Sequence, residues 1–126
     1  MYFRGSTIVI ACFSLDSQNS FEELQKVWIP KIYSSKVNCP IFMVGLKSDL
    51  EREVSLNDAI NFAVSKGLLY FEASSKMDFG VSDFFRFCSL CVLKKSRKIK
   101  EHHDENSLKK EENGGNNFYN YFCSIF

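Results

Sequence analysis

Pro40-Ile41-Phe42-Met43-Val44-Gly45-Leu46-Lys47-Ser48-Asp49-Leu50 is the stretch on which the fold turns. It begins as an unbroken apolar run with no polar alternation, the pattern of a strand buried on both faces of a parallel sheet. It then turns abruptly polar, as a loop leaving the end of such a strand does. Two further runs have the same character: Thr7-Ile8-Val9-Ile10-Ala11-Cys12-Phe13 before it and Leu68-Leu69-Tyr70-Phe71-Glu72-Ala73 after it. All three are short and rich in β-branched or aromatic residues.

Helical patterns fill the intervals. Ser20-Phe21-Glu22-Glu23 reads as a capping box, followed by a stripe of Phe21, Leu24, Trp28 and Ile32. Pro30 is expected to kink or loosen the last turns of that helix. Ser55-Leu56-Asn57-Asp58 is a second start, with Leu56, Ala59, Ile60 and Ala63 at helical spacing and Gly67 as the stop. A third helix puts Val81, Phe84, Phe85, Cys88 and Val92 on one face and ends near Lys95. The order strand–helix–strand–helix–strand–helix indicates an α/β protein with a parallel sheet. Right-handed crossovers stepping one way place the first two helices on one face and leave the other for the third. Ligands of such sheets bind at the carboxyl ends of the strands, here just after Phe13, Gly45 and Ala73.

Bulk properties narrow the class. A chain of 126 residues predicts one domain. A hydrophobic fraction of 45% with 13 Phe can build a core. The net charge of +1 argues against a general polyanion binder, so no nucleic-acid partner is expected. Cys12, Cys39, Cys88, Cys91 and Cys123 are odd in number, and Met1-Tyr2-Phe3-Arg4-Gly5-Ser6 is not a secretory signal, which suggests reduced cytosolic thiols. No run of eighteen apolar residues exists. The expected organisation is a folded domain over 1–95 and a polar, flexible tail over 96–126 that buries too little apolar area to fold alone.

The two later loops carry the chemistry. Gly45-Leu46-Lys47-Ser48-Asp49-Leu50 follows the second strand, and Glu72-Ala73-Ser74-Ser75-Lys76 closes the third. Together they resemble the N-K-x-D and E-x-S-A-K motifs of the small GTPases of the Ras superfamily, and the resemblance covers about residues 2–95. Phe13-Ser14-Leu15, Ser20-Phe21-Glu22 and Trp28-Ile29-Pro30 resemble the Rho branch, whereas Tyr2-Phe3-Arg4-Gly5 resembles the Rab branch. The implied fold is the C-terminal part of a P-loop GTPase domain. The implied ligand is GTP or GDP, and the implied role is a GTP/GDP switch in signalling or vesicle traffic. Guanine presents two adjacent donors, its ring N1–H and its exocyclic amine, and one carboxylate can accept from both; Asp49 matches. Adenine lacks that pair and would leave the carboxylate unsatisfied. The resemblance further implies that Lys47 packs its stem over the base, that Ser74 belongs to the same loop, that the backbone N–H of Ser75 bonds the guanine carbonyl, and that Lys76 packs on the other side. Leu46 stands where the family has Asn, and losing that residue's hydrogen bonds is expected to weaken affinity about ten- to a hundredfold.

G-x-x-x-x-G-K-[ST] does not occur in these residues, nor do counterparts of the family's magnesium-holding threonine or its D-x-x-G. GTP hydrolysis by these residues alone is therefore not expected, and magnesium is expected only with the missing N-terminal part. Without the family's neighbouring strand, the run at Thr7–Phe13 would be an exposed edge. Two expectations stay open: an incompletely recorded switch, with exchange factors, GTPase activators and effectors as partners, or a prenylated remnant acting as an interaction protein.

Cys123-Ser124-Ile125-Phe126 fits C-a-a-X, and a terminal Phe favours geranylgeranyl. A prenyl transferase partner and a place at the cytosolic face of a membrane are expected on that basis. Lys94, Lys95, Arg97, Lys98 and Lys100 offer a second signal toward anionic lipids, or simply a cationic helix end. Phe118, Tyr119, Tyr121 and Phe122 lie beside the cysteine. Cys88-Ser89-Leu90-Cys91 has metal spacing without a second pair. His102-His103-Asp104-Glu105 suits a solvated linker. Asp78-Phe79-Gly80 spells a kinase triplet without the rest of that machinery and is expected to be a chance match where a helix begins.

Overall fold

The computed structural model describes residues 2–104. Strands β1 (Val9–Ser14), β2 (Ile41–Leu46) and β3 (Leu69–Ala73) form one parallel sheet in the order β1-β2-β3, with Val9 opposite Ile41 and Phe42 opposite Leu69. The alternating α/β order expected from the sequence is present. Helices α1 (Gln18–Glu23) and α2 (Ile29–Ser34) lie between β1 and β2, α3 (Leu56–Ser65) lies between β2 and β3, and α4 (Val81–Asp104) comes after β3. Helix α4 continues to Asp104 rather than ending near Lys95.

The sheet separates two cores. Val9, Ala11 and Phe13 of β1 and Met43 of β2 meet Phe21, Leu24, Ile29 and Ile32 of the first helical segment and Ala59 and Ala63 of α3. On the opposite face, Phe42, Val44 and Ala73 meet Phe84 and Cys88 of α4. Alternate residues of each strand point to opposite faces, so one continuous apolar run can feed both cores.

Strand β1 departs from that expectation. Its odd residues are buried, but Ile10 is 41% exposed and Cys12 is exposed as well. Helix α4 packs over β2 and β3, and of the chain at β1 only Ile8 joins that core. An apolar run shows that both faces could be buried, not that a cover exists for each.

The first helix begins one turn before the expected capping box. Ser17 is the N-cap and accepts from Ser20 N–H at 3.2 Å. Ser20 instead accepts from Ser14 N–H at 2.9 Å and donates to Ser17 O at 2.8 Å, tying the helix to the end of β1. The expected stripe also slips. Leu24–Trp28 forms a π turn between α1 and α2, and Ile29 N–H reaches back to Leu24 O. That wider turn adds a residue, so Leu24 is succeeded on the inward face by Ile29 while Trp28 is 43% exposed. Pro30, at the start of α2, has no N–H to complete the ordinary bond to Lys26 O. The distortion therefore precedes the proline and leaves the turns after it intact.

In α3, Ser55 caps by accepting from Asp58 N–H at 3.0 Å, and Gly67 ends the segment at φ +66°. Ala59 and Ala63 are buried, but Leu56 and Ile60 are exposed. In α4, Phe85 is exposed, and Phe87 and Cys91 complete the inward face with Phe84 and Cys88. Helical spacing gave the right faces, but three expected members, Leu56, Ile60 and Phe85, are exposed.

Candidate nucleotide site

Both motif-bearing loops leave the carboxyl ends of neighbouring strands. Lys47, Ser48 and Asp49 come after β2, and Ser74, Ser75 and Lys76 after β3. Ser48 N–H donates to Ala73 O at 3.2 Å, and Leu50 N–H closes a turn on Lys47 O at 3.1 Å. Lys47 takes a left-handed φ of 60° to make that turn.

Ser74 joins the loops. It is the buried polar residue of the described core, at 1% exposure, and its hydroxyl donates to Asp49 Oδ1 at 2.5 Å. That bond holds the Asp49 carboxyl below the usual carboxylate range, with the charge of Lys76 adding to the effect and that of Asp16 opposing it. The same Ser74 oxygen accepts from Met77 N–H at 3.2 Å. Asp49 is thus an exposed carboxylate held by the Ser74 hydroxyl on Oδ1 and also lowered by its own backbone N–H. Ser75 accepts from Asp78 N–H through its carbonyl at 3.4 Å, and its own N–H makes no bond among the described residues.

Sequence reasoning pointed to the loop after Phe13 but did not single out Asp16. Asp16, after β1, lies 3.7 Å from Lys47 Nζ and accepts from the Ser14 hydroxyl. The Ser14 hydroxyl and the Lys47 charge hold the Asp16 carboxyl down. Leu15 N–H donates to Leu46 O at 2.9 Å, and Glu53 and Val54 N–H both donate to Leu15 O. The side chain of Leu46 is exposed and ties nothing. Arg52 was also missed. It grips Glu72 with two nitrogens at 3.0 and 2.7 Å, and Tyr70 Oη donates to the same carboxylate at 2.6 Å. Burial pushes Glu72 upward, but these donors outweigh it and hold the carboxyl low. Burial and the adjacent carboxylate push the Tyr70 phenol up. The pair fixes the loop between Asp49 and α3 against β3. No local spacing could have announced it, since its members lie far apart in sequence.

Cys88 packs in the α4 core, and no group of three metal-ligating side chains occurs among the described residues. Phe79, the middle residue of the kinase-like triplet, pairs with Ser74 in an antiparallel bridge beside the site. Cys123 and the aromatic residues around it lie outside the described residues, as do the side chains of Lys95, Arg97, Lys98 and Lys100.

A three-stranded parallel sheet carrying these loops at its carboxyl ends defines part of a Ras-like GTPase fold. The chain belongs to the Ras family, whose model matches residues 1–94. It is 33% identical over 109 residues to the Rho-related protein racI of Dictyostelium discoideum, covering 72% of this chain and 53% of that one. It is 30% identical over 100 residues to the mouse Ras-related protein Rab-17, covering 76% and 46%. The chain thus spans about half the length of the curated relatives it matches.

Proposed function

We propose that residues 1–95 are the base-reading part of a guanine-nucleotide switch, and that the tail over 96–126 tethers it to the cytosolic face of a membrane through a geranylgeranyl group on Cys123. The observation that carries the first part is the Ser74–Asp49 contact at 2.5 Å, which fixes an exposed carboxylate at a strand end where ligands of this fold bind. The residues fit a guanine. Asp49 accepts from the ring N1–H and exocyclic amine, the unbonded Ser75 N–H donates to the carbonyl oxygen, and the stems of Lys47 and Lys76 flank the ring.

The matched relatives include a GTP-binding protein, rho4 of Schizosaccharomyces pombe, which supports the same reading here. Phosphate and magnesium binding and hydrolysis need residues of types that these do not supply. Exchange factors, GTPase activators, effectors and a prenyl transferase are the partners of the whole switch. Leu46, exposed and without the hydrogen bonds of an Asn, favours a second reading in which affinity is too low for switching and the prenylated chain acts by binding proteins.

Titrating the purified chain with fluorescent GDP in competition with unlabelled GDP and ADP tests the site. Preference for GDP of about tenfold or more, lost in Asp49→Ala, is expected. Equal competition by ADP sinks the base-reading claim. Mass spectrometry of the chain from a eukaryotic host tests Cys123, where an unmodified C-terminus ending in Phe126 sinks the lipid claim.

A further inference from the structure

We infer that Gly80 is a positioning residue for the base-reading carboxylate, acting through Ser74. This role rests on the proposed guanine reading of the site.

Gly80 has φ +74°, where side chains are strained. Gly5 and Gly67 share that property, at +79° and +66°, but a Cβ on either meets nothing within 4 Å. A Cβ on Gly80 would sit 2.6 Å from the backbone oxygen of Glu72 and 3.6 Å from Ala73 Cα. Neither neighbour can retreat. Glu72 and Ala73 are paired into the sheet opposite Gly45 and Leu46. On the other side, Gly80 O accepts from Phe84 N–H at 2.9 Å, and Phe84 is buried against Phe42. The displacement must fall on the loop between these anchors.

That loop depends on the close approach. Asp78 at φ 49° and Gly80 at +74° turn the chain back on either side of Phe79. Phe79 then exchanges two bonds with Ser74, each at 2.9 Å: Ser74 N–H to Phe79 O and Phe79 N–H to Ser74 O. With its backbone so fixed, Ser74 directs its hydroxyl at Asp49 and receives Met77 N–H on the same oxygen. Gly80 therefore sets the angle at which Ser74 holds Asp49, though it never approaches the base. The ring of Phe79, 61% exposed, contributes little packing that would hold the loop otherwise.

The test uses the whole 126-residue chain, with Gly80→Ala, Gly67→Ala as a control for left-handed strain without a clash, and Ser74→Ala. In Gly80→Ala, amide exchange at Met77 and Phe79 should quicken about tenfold or more while Met43 and Val44 stay protected. Affinity for fluorescent GDP should fall about tenfold or more, and selectivity over ADP should fall with it. The pH at which Asp49 protonation weakens GDP binding should rise in Gly80→Ala as in Ser74→Ala, because the first misdirects and the second removes the hydroxyl that holds Asp49 down; Lys76 and Asp16 remain in both. Gly67→Ala should change none of these. A merely structural role would lower the melting midpoint and leave selectivity and the pH midpoint alone, and that result overturns the inference. Wild-type selectivity for GDP with an unaltered Gly80→Ala removes Gly80 alone; a wild-type chain that does not prefer GDP to ADP removes the guanine reading and this role with it. Where Gly80→Ala loses its cooperative melt, Ser74→Ala decides, and undiminished GDP affinity in that variant overturns the inference.

Discussion

The two faces of the sheet are packed by different means. On the α4 face, Phe42 is wholly buried with Phe71, Phe84 and Phe87 around it, their ring centroids 5.8 to 5.9 Å from its own. On the opposite face, small residues, Ala59 and Ala63, lie beside aliphatic side chains and a second set of rings, Phe13, Phe21, Phe62 and Tyr70, and its margin carries the charged Arg52–Glu72 pair with Tyr70. One helix covers the first face and three helical pieces cover the second. The α4 face therefore concentrates its stability in few residues that bury much area each, while the other mixes rings with small and aliphatic residues over more helical pieces and adds a term that pH controls.

The sharpest way to break this comparison is Phe42→Ala. Removing a wholly buried ring from an aromatic cluster is expected to cost about 3–5 kcal/mol, measured by urea unfolding of the chain. The cost should be the same at pH 7 and pH 4, because the Phe71, Phe84 and Phe87 rings around Phe42 do not titrate. A loss below about 1 kcal/mol would mean that α4 does not close a core over β2 and β3.

The opposite face offers a paired test. Ile29→Ala is expected to cost about 2–5 kcal/mol and Trp28→Ala under about 1 kcal/mol, since Ile29 is 1% exposed and Trp28 43%. The reverse order would put Trp28 inward and remove the π turn. Lys31 Nζ lies 5.3 Å from the Trp28 ring, and a cation–π contact at so exposed a site is the term that Trp28→Ala would lose.

These variants also show how far the sequence could be read. The three apolar runs became three strands because period and length sufficed, and the crossover rule then assigned each helix its face. Trp28 was misplaced because a π turn depends on hydrogen bonds that no 3.6-residue stripe encodes. Ile10 was expected inside because an apolar residue does not declare whether something will cover it. Lys47, Asp49, Ser74, Ser75 and Lys76 were legible as a set through their place after strands and their resemblance to known motifs. Asp16, Arg52 and Gly80 were not. Each acts across the sheet or across a turn, on residues that only folding brings near.

The charged margin gives a smaller effect with a definite sign. The folded Glu72 carboxyl titrates below its usual value. The linked stability is therefore fully present above the unfolded carboxylate pKa and is lost as pH falls through the lower folded one. Arg52 and Glu72 side chains are 34% and 20% exposed, so solvent screening limits the term to about 1 kcal/mol. Glu72→Gln should be less stable than wild type by that amount at pH 7, with the difference closing as melts are repeated toward pH 3. A difference that widens as pH falls would contradict the depressed pKa.

The smallest effect lies at the strand ends, which belong to neither face. Asp16 holds Lys47 at 3.7 Å, with the lysine side chain 58% exposed and the aspartate 29%. An ion pair so open to water adds little to folding, so Asp16→Asn should leave the melting midpoint within about 1 °C of wild type. Its consequence is sought in binding. Lys47 is proposed to lie over the base, and Asp16 limits where that side chain goes, a service the exposed Leu46 cannot render. Asp16 also raises the neighbouring Asp49 toward its ordinary range, so its removal helps the base-reading carboxylate while freeing the lysine. The two consequences oppose each other, and salt distinguishes them only in the direction of screening. At low salt the freed lysine is expected to prevail, lowering GDP affinity about two- to threefold in Asp16→Asn. At 1 M salt, where charges are screened beyond about 3 Å, the difference should vanish. Tighter GDP binding in Asp16→Asn at low salt would show that Asp16 acts on the site through Asp49, not through Lys47.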